Sequence, residues 1–193
     1  MRKSREETAQ TRQRIVEIGG IEFRRNGIAG TGLADVMSAA GLTHGGFYRH
    51  FDSKQALVKE CLNNALDSLR ASIETSIATR PGRAGILFAL DDYLSAAHRD
   101  GEETCPFVSL GSELARAGEE VRNAATAAFL QLADMIASHL DDLPPAAAKK
   151  EALVLLSSMV GAMTMARLVS DEDVSAEILT QMRKTLAQRV RRK

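Results

Sequence analysis

Residues 31–54 read TGLADVMSAAGLTHGGFYRHFDSK. Leu33, Val36, Met37 and Ala40 fall at i, i+3, i+4 and i+7, the apolar stripe of a short helix. Thr31 is placed to cap that helix, and Asp35 lies in its first turn, where the dipole favours a carboxylate. Gly41 ends it, since glycine takes the left-handed position past a helix at little cost. Only Leu42 intervenes before Thr43, which is placed to cap a second helix beginning at His44. Leu42 and Phe47 stand at the two positions of a hydrophobic staple around such a cap. Phe47 and Phe51, four apart, bury one face, which leaves His44, Gly45, Gly46, Tyr48, Arg49 and His50 for the other sides. Two short helices joined by a tight turn, the second turning donors and an aromatic outward, predict a helix-turn-helix. Its second helix would enter a DNA major groove with its N-terminal residues at base edges.

Working outward, the spacing predicts a first helix from about Thr11 to Asn26, closed by Gly27, with Ile15, Ile18 and Phe23 (and Ile28 just beyond) packed against the helix-turn-helix. Gly19 and Gly20 sit inside it, each costing up to about 1 kcal/mol relative to Ala, and are read as a close helix–helix contact. Residues 1–9 read as a polar tail whose Arg2, Lys3 and Arg5 are either solvated or follow phosphates. Downstream, Asp52 or Ser53 caps a long helix from Lys54 to about Ala78, striped by Leu57, Val58, Cys61, Leu62, Leu66, Leu69 and Ile73. Further helices follow at about Ala84–Arg99, Pro106–Ala117, Glu119–Leu140, Ala146–Val169 and Asp173–Arg192, separated by Pro, Gly and Asp breaks. No alternating β-branched run occurs, so the predicted fold class is all-α. In the last two helices Leu155, Leu156, Met159, Val160 and Met163 join Ile178, Leu179, Met182, Leu186 and Val190 in stripes that suit a dimer-forming four-helix bundle.

From Arg12 to Leu57 the chain resembles the TetR-type bacterial transcriptional repressors, through Ile15, Phe23, Gly27, Asp35, Gly41, Leu42, Phe47, Tyr48, Phe51, Ser53, Lys54 and Leu57. The resemblance implies an N-terminal three-helix DNA-binding domain over 1–54 and a helical ligand-binding body over 55–193 that dimerises through helices 146–169 and 173–192. It implies a cytoplasmic, non-enzymatic regulator of a palindromic double-stranded operator, released by a small-molecule or thiol-reactive effector. The expected DNA-contacting residues are Thr31, Thr43, His44, Gly46, Tyr48, Arg49, His50 and Lys54. His44 and Gly46 stand where base contact is expected, Tyr48 and Lys54 suit phosphates, and Arg49 and His50 suit either guanine or the backbone.

Formal net charge is zero, yet residues 1–60 hold ten Lys/Arg against seven Asp/Glu, and residues 61–193 hold fifteen against eighteen. A basic end on an acidic body confines nucleic-acid contact to that end. No apolar run approaches the ~18 residues needed to span a bilayer, and no membrane partner is expected. The first fourteen residues lack the apolar core of a signal peptide. Two cysteines far apart give no disulfide framework and fit a reducing compartment.

Cys105 precedes Pro106, which suits the first position of a helix; a thiol capping that helix would have a lowered pKa and could react with electrophiles. The plainer reading is a small buried residue, and Cys61 lies on an apolar stripe. Apolar candidates for an effector site in the body are Phe88, Tyr93, Phe107, Phe129, Met135, Met159 and Met163, though Phe and Met at helical spacing are more often plain core. The four histidines never pair with a carboxylate or thiol at ligand spacing, so neither metal nor cofactor is expected. Two alternatives stand beside the regulator: a small helical enzyme with Cys105 as nucleophile and His98 as base, and a protein-binding adaptor using the surface around Tyr48 and Arg49.

Overall fold

Two glycines set the shape of the N-terminal end. Gly27 (φ 78°) stops helix α1, Arg5–Asn26, and Gly41 (φ 68°) stops helix α2, Leu33–Ala39. After α2 the Leu42 amide donates to Met37 O at 2.8 Å and the Gly41 amide to Ser38 O at 2.9 Å, the paired bonds of a glycine-closed helix end. The protein is seen here as a computed structural model that describes residues 5–77, 79–101 and 104–191; the expectations placed on Arg2, Lys3, Ala78 and Arg192 lie outside the described residues. Among those described, the chain is helical with no strand.

The order is α1, α2, a 3-10 helix over His44–Arg49, α3 (Lys54–Ile77), α4 (Arg83–Tyr93), α5 (Ala96–Asp100), α6 (Pro106–Leu114), α7 (Glu119–Ser138), α8 (Pro145–Leu168) and α9 (Glu172–Arg191). Three expectations are corrected. Helix α1 begins at Arg5, within the stretch read as a polar tail and ahead of the expected start at Thr11. The second element of the helix-turn-helix is a six-residue 3-10 helix, because two glycines at its start remove the propensity for a longer α-helical run. The helix expected over Ala84–Arg99 is two: Ser95 breaks it, its Oγ accepting from the His98 amide at 3.1 Å and capping α5.

Two apolar clusters hold the chain together. One joins Ile15, Phe23, Val36, Phe47, Phe51 and Leu57 to Leu110, Leu114, Val121 and Leu132, so the helix-turn-helix shares its core with α6 and α7. The other gathers Leu90, Leu94, Leu140, Leu155, Met163, Leu179, Leu186 and Val190. Leu155, Leu156, Met159 and Met163 are therefore buried within the chain itself, as are Leu179, Leu186 and Val190. The residues expected to face a dimer partner are mostly intramolecular core. Helix α8 is long and apolar enough by composition to cross a bilayer, with a mean hydropathy of 1.3 over eighteen residues. Its Ala152, Leu155 and Met163 are fully enclosed, as befits the central helix of a helical core.

A side chain at position 27 would stand in a left-handed conformation with its Cβ 2.9 Å from Glu113 Oε2. Gly27→Ala is expected to destabilise the fold by about 1–2 kcal/mol, read as a lower urea midpoint. Gly111→Ala, in a helix and with nothing within 4 Å of the added Cβ, is expected to be neutral or to stabilise by up to about 1 kcal/mol. Equal midpoints for the two variants would contradict this account of Gly27.

Candidate nucleic-acid interface and the cavity behind it

The outward face of the 3-10 helix rests on a rigid apolar base. Phe47 is fully buried, stacks on Phe51 at 5.6 Å between centroids, and meets the Tyr48 ring edge-on at 5.2 Å. Tyr48 itself is 65% exposed, although its ring rests on that base. Thr43, His44 and Arg49 are exposed alongside it, and His50 and Lys54 are half-buried. Lys54 opens α3 with its ammonium 5.9 Å from the Phe23 ring centroid, and Ser53 Oγ caps the same helix by accepting from the Ala56 amide at 3.1 Å. The cation and the helix N-terminus both favour an anion there.

Thr43 occupies the position before the 3-10 helix, but its side chain makes no capping bond. Thr31 is corrected more fully. It is 2% exposed, and its hydroxyl donates to Gly27 O at 2.7 Å and Glu22 O at 3.2 Å. It therefore ties α1 to the following loop and is not on the outward face. The cap of α2 is Gly32, whose amide donates to the Asp35 carboxylate at 3.0 Å. Gly45 and Gly46 have negative φ, and a Cβ on either would meet nothing closer than 3.7 Å. The fold does not require glycine at these two positions.

Behind this surface, α1 lies close on α3. A Cβ at Gly19 would be 3.1 Å from Cys61 Sγ, and the Cys61 thiol donates to Val16 O at 3.2 Å. The close contact read from the two glycines is present. A second tie comes from α6: Glu113 accepts from the Ile28 amide at 2.8 Å and the Ala29 amide at 2.9 Å. Sequence reading missed Glu113, since its partners are backbone amides more than eighty residues away.

A cavity of about 670 Å³ opens between α1, α3, α4 and the start of α6, within the usual range for small-molecule sites. Of the residues expected to line an effector site, Tyr93, Cys105 and Met159 do so. Phe88, Phe107, Met135 and Met163 do not: Arg80 lies over the Phe88 ring at 3.8 Å, Phe107 packs edge-on against Phe129 at 5.8 Å, Met135 joins the first cluster and Met163 the second. The cavity adds His98, named above only as a possible base, and Arg24 and Asn64, which no motif marked.

Cys105 is the cap residue of α6, as expected, with Pro106 at the first position. The expectation of a lowered thiol pKa is corrected. Cys105 is 4% exposed, and burial raises its pKa despite the Tyr93 hydroxyl and the Phe107 and Val108 amides, which act in the other direction. Burial likewise raises the Tyr93 phenol. His98 is held on Tyr93: its Nδ1 is 2.8 Å from Tyr93 O and its ring meets the Tyr93 ring edge-on at 4.5 Å.

Comparison with known proteins places this geometry. Residues 21–61 match the family described as bacterial regulatory proteins, tetR family. Residues 89–191 match the C-terminal domain of LmrA/YxaF-like transcriptional regulators. Over 64 residues the chain is 39% identical to the HTH-type transcriptional regulator TtgR of Pseudomonas putida, covering 33% of this chain and 30% of that protein. Over 68 residues it is 34% identical to the HTH-type transcriptional repressor KstR2 of Rhodococcus jostii, covering 35% and 33%. The match thus spans about a third of the length of these curated relatives. A crystal structure of a TetR transcriptional regulator from Chloroflexus aurantiacus superposes with a TM-score of 0.82 at 25% identity, over 97% of this chain and 98% of that one.

The thiols generate a test in solution. The folded chain keeps Cys61 neutral up to a pKa of about 12, whereas the unfolded chain ionises it near 9. The folded state thus holds the proton over that interval, and stability falls as pH rises from about 9 to about 12. Cys61→Ser, which keeps a donor for Val16 O but does not ionise, is expected to flatten the fall of the urea midpoint over that range. An unchanged slope would contradict the burial argument.

Proposed function

The chain belongs to the TetR family of bacterial regulatory proteins, and on that premise we propose that it is a DNA-binding transcriptional regulator, a repressor that leaves its operator when a small molecule occupies its body. The observation that carries this reading is the outward face of the 3-10 helix. Exposed His44, Tyr48 and Arg49 stand on a buried phenylalanine base, beside two glycines that the fold itself does not need. Glycines with room for a side chain make sense if a partner's surface approaches the backbone at Gly46. Tyr48 and Lys54 would hold phosphates, His44 and Gly46 would meet base edges, and Thr43, Arg49 and His50 would flank them. Regulators, not enzymes, make up the matching families, and the buried, protonated Cys105 gives no support to a nucleophile or to a resting thiolate sensor.

The operator-bound form would be a homodimer through α8 and α9. Val154, Met165 and Leu168 are exposed large apolar residues on α8, Gly161 lies between them on the same side, and Val174 near the start of α9 is exposed as well. Small and apolar residues on one face allow two helices to approach closely. A two-fold pair of heads suits a palindromic operator whose half-sites lie about 34–36 Å apart. On this reading the protein works in the cytoplasm, with the DNA.

The test is binding of the purified protein to fragments of its own upstream region, with salt varied. One fragment is expected to bind tightly, with affinity falling steeply as salt rises, since phosphate contacts release counterions. Tyr48→Ala and Lys54→Ala are each expected to weaken binding about tenfold without changing the melting temperature. Gly46→Ala is expected to melt at the same temperature or higher yet bind that fragment more weakly. Unchanged affinity in all three folded variants would overturn the assignment of this face.

A further inference from the structure

Two hydrogen-bond donors line the cavity without an acceptor. Tyr93 is 8% exposed, and its Oη is buried with only the Cys105 thiol beside it and no oxygen or nitrogen acceptor among the described residues. Arg24 Nε is buried in the same state, and no described carboxylate pairs with its guanidinium. The Arg24 head group folds back over Gly20, where an added Cβ would stand 3.3 Å from Nη1. The missing side chain at position 20 is what leaves room for the cation beside the cavity. Both donors act on one place: the Cys105 thiol feels the charge of Arg24 and the hydroxyl of Tyr93. Sulfur is a weak acceptor, so this thiol does not satisfy either donor.

A buried donor without an acceptor costs about 1–3 kcal/mol, more when it is charged. Two of them on the wall of one cavity favour a ligand that brings acceptor oxygens and a negative charge. A guanidinium's fork matches a carboxylate in particular. The rest of the wall is apolar along Ile21, Leu69, Ile73 and Met159, which would take a hydrocarbon or aromatic body. Exposed Glu17 and Asp92 also line the cavity, and they would repel a ligand with a second negative charge.

We propose that this cavity, between the first helix of the DNA-binding head and the body, binds a small amphipathic monocarboxylic acid. Its carboxylate sits on Arg24 and Tyr93 Oη and its apolar part lies along α3 and Met159. As the effector's identity, this rests on the reading of the chain as an effector-responsive regulator. Such a ligand touches α1 and α6 together, so it bears on the head directly.

The experiment is isothermal titration of the full-length protein, free of DNA, with octanoate, decanoate and phenylbutyrate, each against its primary amide. At least one acid is expected to bind on the order of tenfold tighter than its amide. Arg24→Gln is expected to erase that preference, Arg24→Lys to restore part of it, and Tyr93→Phe to weaken the acid several-fold while leaving the amide nearly unchanged. Should Arg24→Gln not fold, Tyr93→Phe, which removes a single hydroxyl, decides alone. No acid binding in preference to its amide, or a preference indifferent to the variants, overturns the proposal. An acid that binds through Arg24 but leaves the protein on its operator retains the site and overturns its role as effector. Intact operator binding with no acid bound overturns the ligand class and leaves the regulator reading in place.

Discussion

The contact of α1 with α3 at Gly19 and Gly20 sets how the head sits on the body. A side chain at position 19 would press on Cys61 Sγ at 3.1 Å, so glycine there lets the two helices close until the thiol bonds Val16 O. Each glycine weakens α1 by up to about 1 kcal/mol. Full burial of side chains such as Ile15, Val16, Cys61 and Leu62 along the contact offsets this, at about 1.5–3 kcal/mol for each large aliphatic one. Because α3 starts under the helix-turn-helix at Leu57 and reaches both apolar clusters at Leu69, the seat of α1 on α3 decides where the outward face points relative to the body. Gly19 admits the close packing and its neighbour Gly20 leaves space for the Arg24 guanidinium, so adjacent glycines serve the packing and the cavity.

Helix α6 links that cavity to the head. Its N-terminal residues Cys105 and Pro106 are cavity wall, and near its other end Glu113 holds the Ile28 and Ala29 amides. Those amides lie in the loop that leads through buried Thr31 into α2. A hydrogen bond to a charged group contributes about 1.5–3 kcal/mol, nearer the lower figure where one partner is exposed as Ala29 is. A hundredfold change in affinity for a partner needs about 2.7 kcal/mol. Loosening or tightening this pair of bonds is therefore of the size that a ligand would have to bias to alter binding at the head.

The parts legible in sequence were those set by neighbours in sequence. The helix ends at Gly27 and Gly41, the cap at Ser53, the buried Phe47 and Phe51 and the outward Tyr48 and Arg49 all follow from spacing within one or two turns. The misreadings share a cause. Thr31 has the residue type of a cap, but its hydroxyl donates to the Glu22 and Gly27 carbonyls and Gly32 takes the cap position of α2. Cys105 does occupy a cap position, yet its thiol chemistry depends on burial in the second apolar cluster, which no local pattern reports. Arg24 and Glu113 were invisible for the same reason. A basic residue in the last turn of α1 and an acid in a short helix look like ordinary solvated charges until the fold sets one beside a cavity and the other against two amides.

Helix α8 shows where pattern alone cannot divide one apolar surface from another. Leu155, Met159 and Met163 recur at helical spacing, and so do Val154, Gly161, Met165 and Leu168. The first set is enclosed by the chain and the second faces outward. A helix in which both stripes are apolar or small averages to a hydropathy that would let it cross a bilayer, although one of its sides is plainly protein core. On the dimer reading the excess has a simple origin: α8 is interior to its own chain on one side and interior to the pair on the other. The outward stripe then has the composition of a core because a second copy completes it.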